Sequence, residues 1–326
     1  MKHSESGYSQ PSIGARSRHV QIGIVGLGRM GGNMARRLAR HKVSVVGFDR
    51  SAATHAQFRG TAGITTTDSL EALIAQLPAP RVVWLMLPAG APTETTLKSL
   101  APLMQAGDLI VDGANAHYRD AMRRAQELAK QRIEFVDAGV SGGVWGLENG
   151  YALMLGGSPA AMARVRPFVE ALAPAPDKGW VHCGTVGAGH FVKMVHNGIE
   201  YGLMQAYGEG FALMHEKKEF SLDLGAIAEC WRHGSVVRSW LLDLTAPLLA
   251  DSASLADAAP VIADSGEGRW TALEAIELGV PAPVMSLALM MRFASQGRND
   301  FAARLLAGMR HAFGGHEITK QKTTSG

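Results

Sequence analysis

The most constraining feature of the chain lies between residues 20 and 49. VQIGIVG is a short apolar run ending in glycine, and VSVVGFD is a second β-branched run. Between them, LGRMGGNMARRLARH sets Met30, Met34 and Leu38 at helical spacing. Strand, helix and strand in about thirty residues make a βαβ unit, which requires a parallel sheet. Within it, Gly26-Leu27-Gly28-Arg29-Met30-Gly31 is a GxGxxG that follows the strand and opens the helix. The first glycine allows the tight turn, the second lets a pyrophosphate reach the backbone, and the third lets helix and strand pack closely. The helix N-terminus then offers free N–H groups and a positive dipole end to phosphates.

Asp49 closes the second strand 23 residues after Gly26, where a carboxylate accepts from ribose hydroxyls. A bound dinucleotide is therefore expected at Gly26, Leu27, Gly28, Arg29, Met30, Gly31, Asp49 and Arg50. Asp49 repels a 2′-phosphate, so NAD is the first choice. Arg50 beside it can stack on adenine or hold a phosphate, which leaves NADP open. A glycine turn without a ligand is the plain alternative, and the strand–turn–helix context weighs against it.

Further strand-like runs fall at 81–87, 108–112, 133–138, 152–155 and 180–182, separated by helical stretches. They extend the α/β pattern to about residue 187. Beyond Gly189 strand signals stop. Helical patterns run on to His311, with breaks expected at Pro247, at Pro260, in DSGEGRW (264–270) and in VPAP (280–283). The expected fold is an α/β Rossmann-type dinucleotide-binding domain over 20–187, followed by an all-α domain over 188–326. Residues 1–19 are polar, Ser-rich and aperiodic, and read as a disordered tail rather than a secretory signal, with a transit peptide as the weaker option.

A length of 326 residues suits two domains, and 47% hydrophobic with 19% charged residues supplies real cores. A net charge of +3 argues against a dedicated nucleic-acid binder. No apolar run is long enough for a membrane span. Cys183 and Cys230 form neither a CxxC pair nor a Cys/His cluster, so no metal and no disulfide framework are expected. A reducing, cytoplasmic setting fits.

The richest stretch is GTVGAGHFVKMVHNGIEY, residues 184–201. At about 100° per residue, with Lys193 at zero, His196 lies near about −60°, Asn197 near about +40° and Glu200 near about −20°. Four polar groups thus share one helical face, while Met194 and Val195 point elsewhere. Burying such groups costs free energy unless each finds a partner. Helix geometry alone also fits a solvated polar stripe.

The pattern GxxGxGxxxKxxxN resembles the catalytic signature of the β-hydroxyacid dehydrogenases. Its extension KMVHNGIEYGLMQ is similar to the 6-phosphogluconate dehydrogenase family, short form, and so are Asp112-Gly-Ala-Asn115, the segment DAGVSGGVWG from Asp137, and the closing MRHAFGGH. The likeness runs from about Gln21 to His316. It implies oxidation of the C3 hydroxyl of 6-phospho-D-gluconate, loss of CO2 and protonation at C1 to give ribulose 5-phosphate. Lys193 is then the base and later the acid, with its pKa lowered by burial, and Glu200 delivers the C1 proton.

By the same resemblance His196 and Asn197 bind substrate hydroxyls and carboxylate. Asn115 sits between nicotinamide and substrate, and Ser141, Gly142 and Gly143 form a substrate loop, which taken alone would be only a tight turn. Tyr201, Arg292, Arg310 and His316 meet the distal phosphate. Each of these alone would read as a surface group. In the family the Arg and His come from a neighbouring subunit, which implies a homodimer or homotetramer.

Two departures stand out. Ala116 follows Asn115 where the family commonly has serine, and the 264–270 loop lacks a phosphate-binding lysine that the long form carries, for which Arg269 either compensates or serves structurally. The rival readings are a non-decarboxylating relative acting on a smaller acid such as 3-hydroxyisobutyrate, and a catalytically silent nucleotide-binding protein. His196, Glu200 and the Arg310/His316 tail weigh against the first, and the shared face of Lys193, Asn197 and Glu200 against the second.

Overall fold

Alternating β-branched and helical runs build an eight-stranded sheet in the first half of the chain, in the order β3-β2-β1-β4-β5-β6-β7-β8. The computed structural model describes residues 20–251 and 255–314, with Glu317 and Thr319. The expected tail at 1–19 lies outside the described residues. The strands are β1 (Gln21–Val25), β2 (Ser44–Phe48), β3 (Ile64–Thr67), β4 (Val82–Leu85), β5 (Leu109–Asp112), β6 (Glu134–Ser141), β7 (Ala152–Gly156) and β8 (Trp180–Gly184). The first six pair in parallel, with Ile22 opposite Val45 and Val83 opposite Ile110. Central strands such as β4 and β5 are buried along their whole length. Near-continuous apolar runs are what a sheet covered on both faces requires.

Two features differ from the sequence expectation. β3 was not among the expected strands, because ITTT carries one aliphatic residue and lies at the sheet edge, where alternation is weak. β7 runs antiparallel to β6. Residues 142–151 join them through two short helical turns, and so short a link cannot make the crossover that a parallel return demands.

The chain divides between His190 and Phe191 into two units. Beyond that point the described residues are helical, with helices at Leu224–Arg232, Trp240–Ala250, Glu267–Glu277, Pro283–Ser295 and Asp300–Gly314. The expected break at Pro247 is corrected. This proline lies inside the helix Trp240–Ala250, where it forfeits one late i→i−4 bond rather than an interior run of them. The expected 264–270 loop is also shorter than foreseen, since Glu267 already opens a helix. Pro283 begins the next helix, a position where its missing N–H costs nothing.

The helix Ala188–Glu216 spans the division, and its start is fixed from the sheet. Asp137 on β6 is fully buried, and its carboxylate accepts the N–H groups of Gly187 at 2.6 Å and His190 at 2.7 Å. This is an N-terminal cap supplied from a strand distant in sequence. Gly189 makes the approach possible, since a Cβ there would sit 2.5 Å from the Met154 carbonyl oxygen and 2.6 Å from that of Asp137. The spaced glycines of the 184–189 segment therefore have a packing reason of their own.

Replacing Asp137 by alanine strands two buried N–H donors. We expect Asp137→Ala to lower unfolding free energy by about 2–4 kcal/mol, read from denaturant melts, with Asp137→Asn losing less because its amide oxygen still accepts.

Candidate active site

In the first unit the glycine loop behaves as its spacing requires. Gly26 has φ +94°, and a Cβ there would lie 2.4 Å from the Met86 carbonyl oxygen. A Cβ on Gly31 would lie 1.9 Å from the Gly26 oxygen, so the helix Arg29–Arg40 packs tightly on the turn. Around Gly28 the space is open to 4 Å. The helix it precedes has no side-chain cap and no acidic residue in its first turn, so neither competes with a ligand for its first N–H groups. A cavity of about 590 Å³ opens there, lined among others by Gly26, Gly28, Asp49, Arg50, Leu70 and Thr95. Arg29 is exposed and Met30 half-buried on the first turn. The donor set fits a dinucleotide.

Asp49 has a role the sequence did not show. One oxygen accepts the N–H of Leu27 at 2.8 Å and the other that of Ser51 at 2.9 Å. The carboxylate therefore ties the glycine loop to the end of β2 as well as lining the cavity. Two carboxylate oxygens offer about four acceptor sites, so capacity for ribose hydroxyls is left. Arg50 is exposed at the cavity wall.

Asn115 lies on the loop after β5 with φ +49°. Its amide pairs with the Val140 backbone in both directions, donating at 3.1 Å and accepting at 2.9 Å. The turn before it is held by Asp112, which accepts from the Ala114 N–H and pairs with buried Arg124 at 2.7 Å. Ser141 ends β6. Gly142 and Gly143 follow with φ +138° and +52°, and nothing lies within 4 Å of a Cβ on Gly143, which leaves its backbone open to a ligand. Ala116 is buried.

In the second unit the four polar residues of the long helix converge. Lys193 is 5% exposed. Its Nζ donates to Asn197 Oδ1 at 2.6 Å and lies 3.3 Å from His196 Nδ1, which in turn lies 3.0 Å from the same Asn197 oxygen. With the amine protonated, the imidazole Nδ1 accepts; with the amine neutral, either nitrogen can hold the shared hydrogen. Glu200 Oε2 stands 3.9 Å from His196 Nδ1. Burial pulls the Lys193 ammonium below the usual lysine range, and the charges of Glu200 and Glu267 pull it back up.

Tyr201 is buried, with its hydroxyl 3.2 Å from Ser265 Oγ. The Arg292 guanidinium lies 3.5 Å over the Tyr201 ring and donates to the Ala263 carbonyl at 2.7 Å. Arg269 is held by Asp264 at 2.7 Å, which makes it part of the loop's own framework. Arg310 is exposed on the helix Asp300–Gly314, apart from these contacts, and His316 lies outside the described residues. The sequence reading missed Asp137, Ser265 and Glu267. The DSGEGRW segment carried the last two, but only packing shows which of its residues face the lysine helix.

Residues 21–187 match the family described as the NAD binding domain of 6-phosphogluconate dehydrogenase. Residues 189–305 match the 6-phosphogluconate dehydrogenase C-terminal domain. An NAD(+)-dependent, decarboxylating 6-phosphogluconate dehydrogenase of Haloferax volcanii is 41% identical over 93% of this chain and 99% of its own length. An NADP(+)-dependent, decarboxylating one from Bacillus subtilis is 36% identical over 88% of this chain, which spans 64% of that protein. Among solved structures, Plasmodium falciparum 6-phosphogluconate dehydrogenase superposes with a TM-score of 0.79 at 28% identity, covering 93% of this chain and 67% of that one. Both halves of the chain, its buried lysine helix and its open glycine loop thus belong to the 6-phosphogluconate dehydrogenase family.

Proposed function

We propose that this chain catalyses the oxidative decarboxylation of 6-phospho-D-gluconate to D-ribulose 5-phosphate and CO2, with NAD as its preferred cofactor. The observation that carries this reading is the buried Lys193 amine bonded to Asn197 and His196 in a chain of this family. A nicotinamide cofactor held at the Gly26–Gly31 loop and Asp49 would supply the hydride acceptor for C3. Lys193, made a better base by desolvation, removes the C3 hydroxyl proton and returns it to the oxygen as CO2 leaves. His196 and Asn197 orient the sugar acid, and Glu200 supplies the C1 proton.

The N–H groups of Gly142 and Gly143, beside Ser141 and Asn115, suit the substrate carboxylate. Arg292, carried on the Tyr201 ring, meets the distal phosphate, and a second copy of the chain adds Arg310 and His316. A homo-oligomer is further supported by large apolar side chains left exposed on the second unit, such as Ile276 and Phe301 at 76% and 79%. The NAD preference rests on Asp49, whose charge faces the place of a 2′-phosphate.

The test is an assay of purified protein with 6-phosphogluconate, following reduced cofactor and trapped CO2 together. Lys193→Ala should cut kcat by about 10²–10⁴-fold while substrate binding is partly kept; near-normal turnover would remove Lys193 from its role. In Glu200→Gln, single-turnover hydride transfer should persist while solvent-deuterium incorporation at C1 slows, and unchanged incorporation would exclude Glu200 as the donor. NAD should exceed NADP in kcat/KM by at least about tenfold, the factor that about 1.4 kcal/mol of repulsion produces. Asp49→Ala should narrow that ratio and also raise KM for both cofactors, because the Leu27 anchor is lost.

A further inference from the structure

We propose that Arg37 is a positioning residue for the substrate loop: its buried guanidinium gathers the carbonyl ends of two helical segments and so holds Gly142 and Gly143 in the backbone conformation in which they meet the substrate carboxylate. This rests on the function proposed above, which assigns residues 141–143 to the substrate.

All of these parts lie in the first unit. Arg37 stands on the helix Arg29–Arg40, whose first turn opens the dinucleotide site, and its side chain is buried. Nε donates to the Leu172 carbonyl at 2.9 Å and Nη2 to that of Ala173 at 2.6 Å. Nη1 donates to the carbonyls of Leu147 at 3.2 Å and Glu148 at 3.3 Å. The first pair closes the helix Pro159–Leu172, whose last carbonyls have no partner within the helix and whose end favours a cation. The second pair belongs to the single turn Gly146–Asn149, between β6 and β7. Bonds that leave from three nitrogens of one planar group cannot be reproduced by a lysine ammonium. Burying a guanidinium is costly unless its donors are met. Four bonds to carbonyls offset that cost, and two of them fix the loop.

The loop is also seated on Tyr151, whose side chain is fully buried. A Cβ on Gly146 would lie 2.0 Å from Tyr151 Cε1, and one on Gly142 would lie 3.1 Å from Cδ1. The Tyr151 N–H bonds the Leu172 carbonyl at 3.0 Å, the same oxygen that accepts from Arg37. On the other side, Ser141 pairs with Ala152 across β6 and β7. The chain is therefore tied before and after Gly142 and Gly143, which carry φ +138° and +52°. Only between these anchors does the backbone open, where a Cβ on Gly143 would meet nothing within 4 Å.

Two neighbours on the same helix reach the loop but hold it less. Asn33, Arg37 and Arg40 fall at i, i+4 and i+7, on one helical face. Asn33 Nδ2 donates to the Val144 carbonyl across 3.4 Å at the surface. Arg40 pairs with Glu148 at 2.9 Å, with both side chains more than half exposed, and such surface pairs contribute little. Arg37 is the anchor that water does not reach.

The test is Arg37→Met, which keeps a long side chain and removes its donors, with Arg37→Lys and Arg40→Ala beside it. Hydrogen exchange of the 142–150 backbone in the free protein, read by peptide mass spectrometry, follows the loop without catalysis. Steady-state kinetics with 6-phosphogluconate and NAD separate kcat from the two KM values. In Arg37→Met, exchange at 142–150 should quicken by about tenfold or more. KM for 6-phosphogluconate should rise about tenfold, with kcat and KM for NAD within about threefold of the parent. Arg37→Lys keeps the charge and part of the donors, so it should fall between the two, and it keeps the test open if Arg37→Met folds poorly. Arg40→Ala should move neither exchange nor KM by more than about twofold. Unchanged exchange at 142–150 in an Arg37→Met protein that melts like the parent would overturn the proposal. So would equal rises in both KM values, the sign of a displaced nucleotide helix, or an Arg40→Ala effect as large as that of Arg37→Met. Faster exchange with an unmoved KM for 6-phosphogluconate would uphold Arg37 as the loop's anchor and refute the assignment of residues 141–143 to the substrate.

Discussion

A buried carboxylate holds the start of the helix that carries Lys193. Asp137 accepts two N–H groups in the first turn of Ala188–Glu216, and burial pushes its own pKa up while those donors and His190 pull it down. Gly187 and Gly189 serve the same purpose, because a side chain at Gly189 would collide with the backbone of β6 and β7.

At the amine, two opposing effects set the behaviour. Desolvation favours the neutral lysine, and the surrounding carboxylates favour the ammonium. In the proposed reaction this amine loses and regains a proton in one cycle, which needs neither form strongly preferred. The Asn197 oxygen and the His196 ring are acceptors when the lysine is charged, and the imidazole can change role when it is not.

The nucleotide half is built on a different economy of space. Its first and third glycines are filled against backbone, whereas the second faces open room and a helix end with no competing cap. Asp49 links that loop to the tip of β2, so the residue expected to choose between cofactors also shapes the phosphate turn.

Much of this was legible in order along the chain. The glycine spacing, the β-branched runs and the helical phase of 193–200 are local properties, and local sterics and periodicity fix them wherever the chain goes. They determined the parallel core of the sheet, the helical second half, and which four side chains share a face. The edge strand β3 was hidden because its threonines carry little apolar signal, and the reversal of β7 because it depends on the length of a link rather than on the strand itself. Tertiary structure alone decided that Asp137 caps a helix fifty residues away, that Asp49 grips Leu27, and that Ser265 meets the Tyr201 hydroxyl. Each of these joins groups whose separation in sequence carries no period, so only the packing of one element on another could bring them within reach.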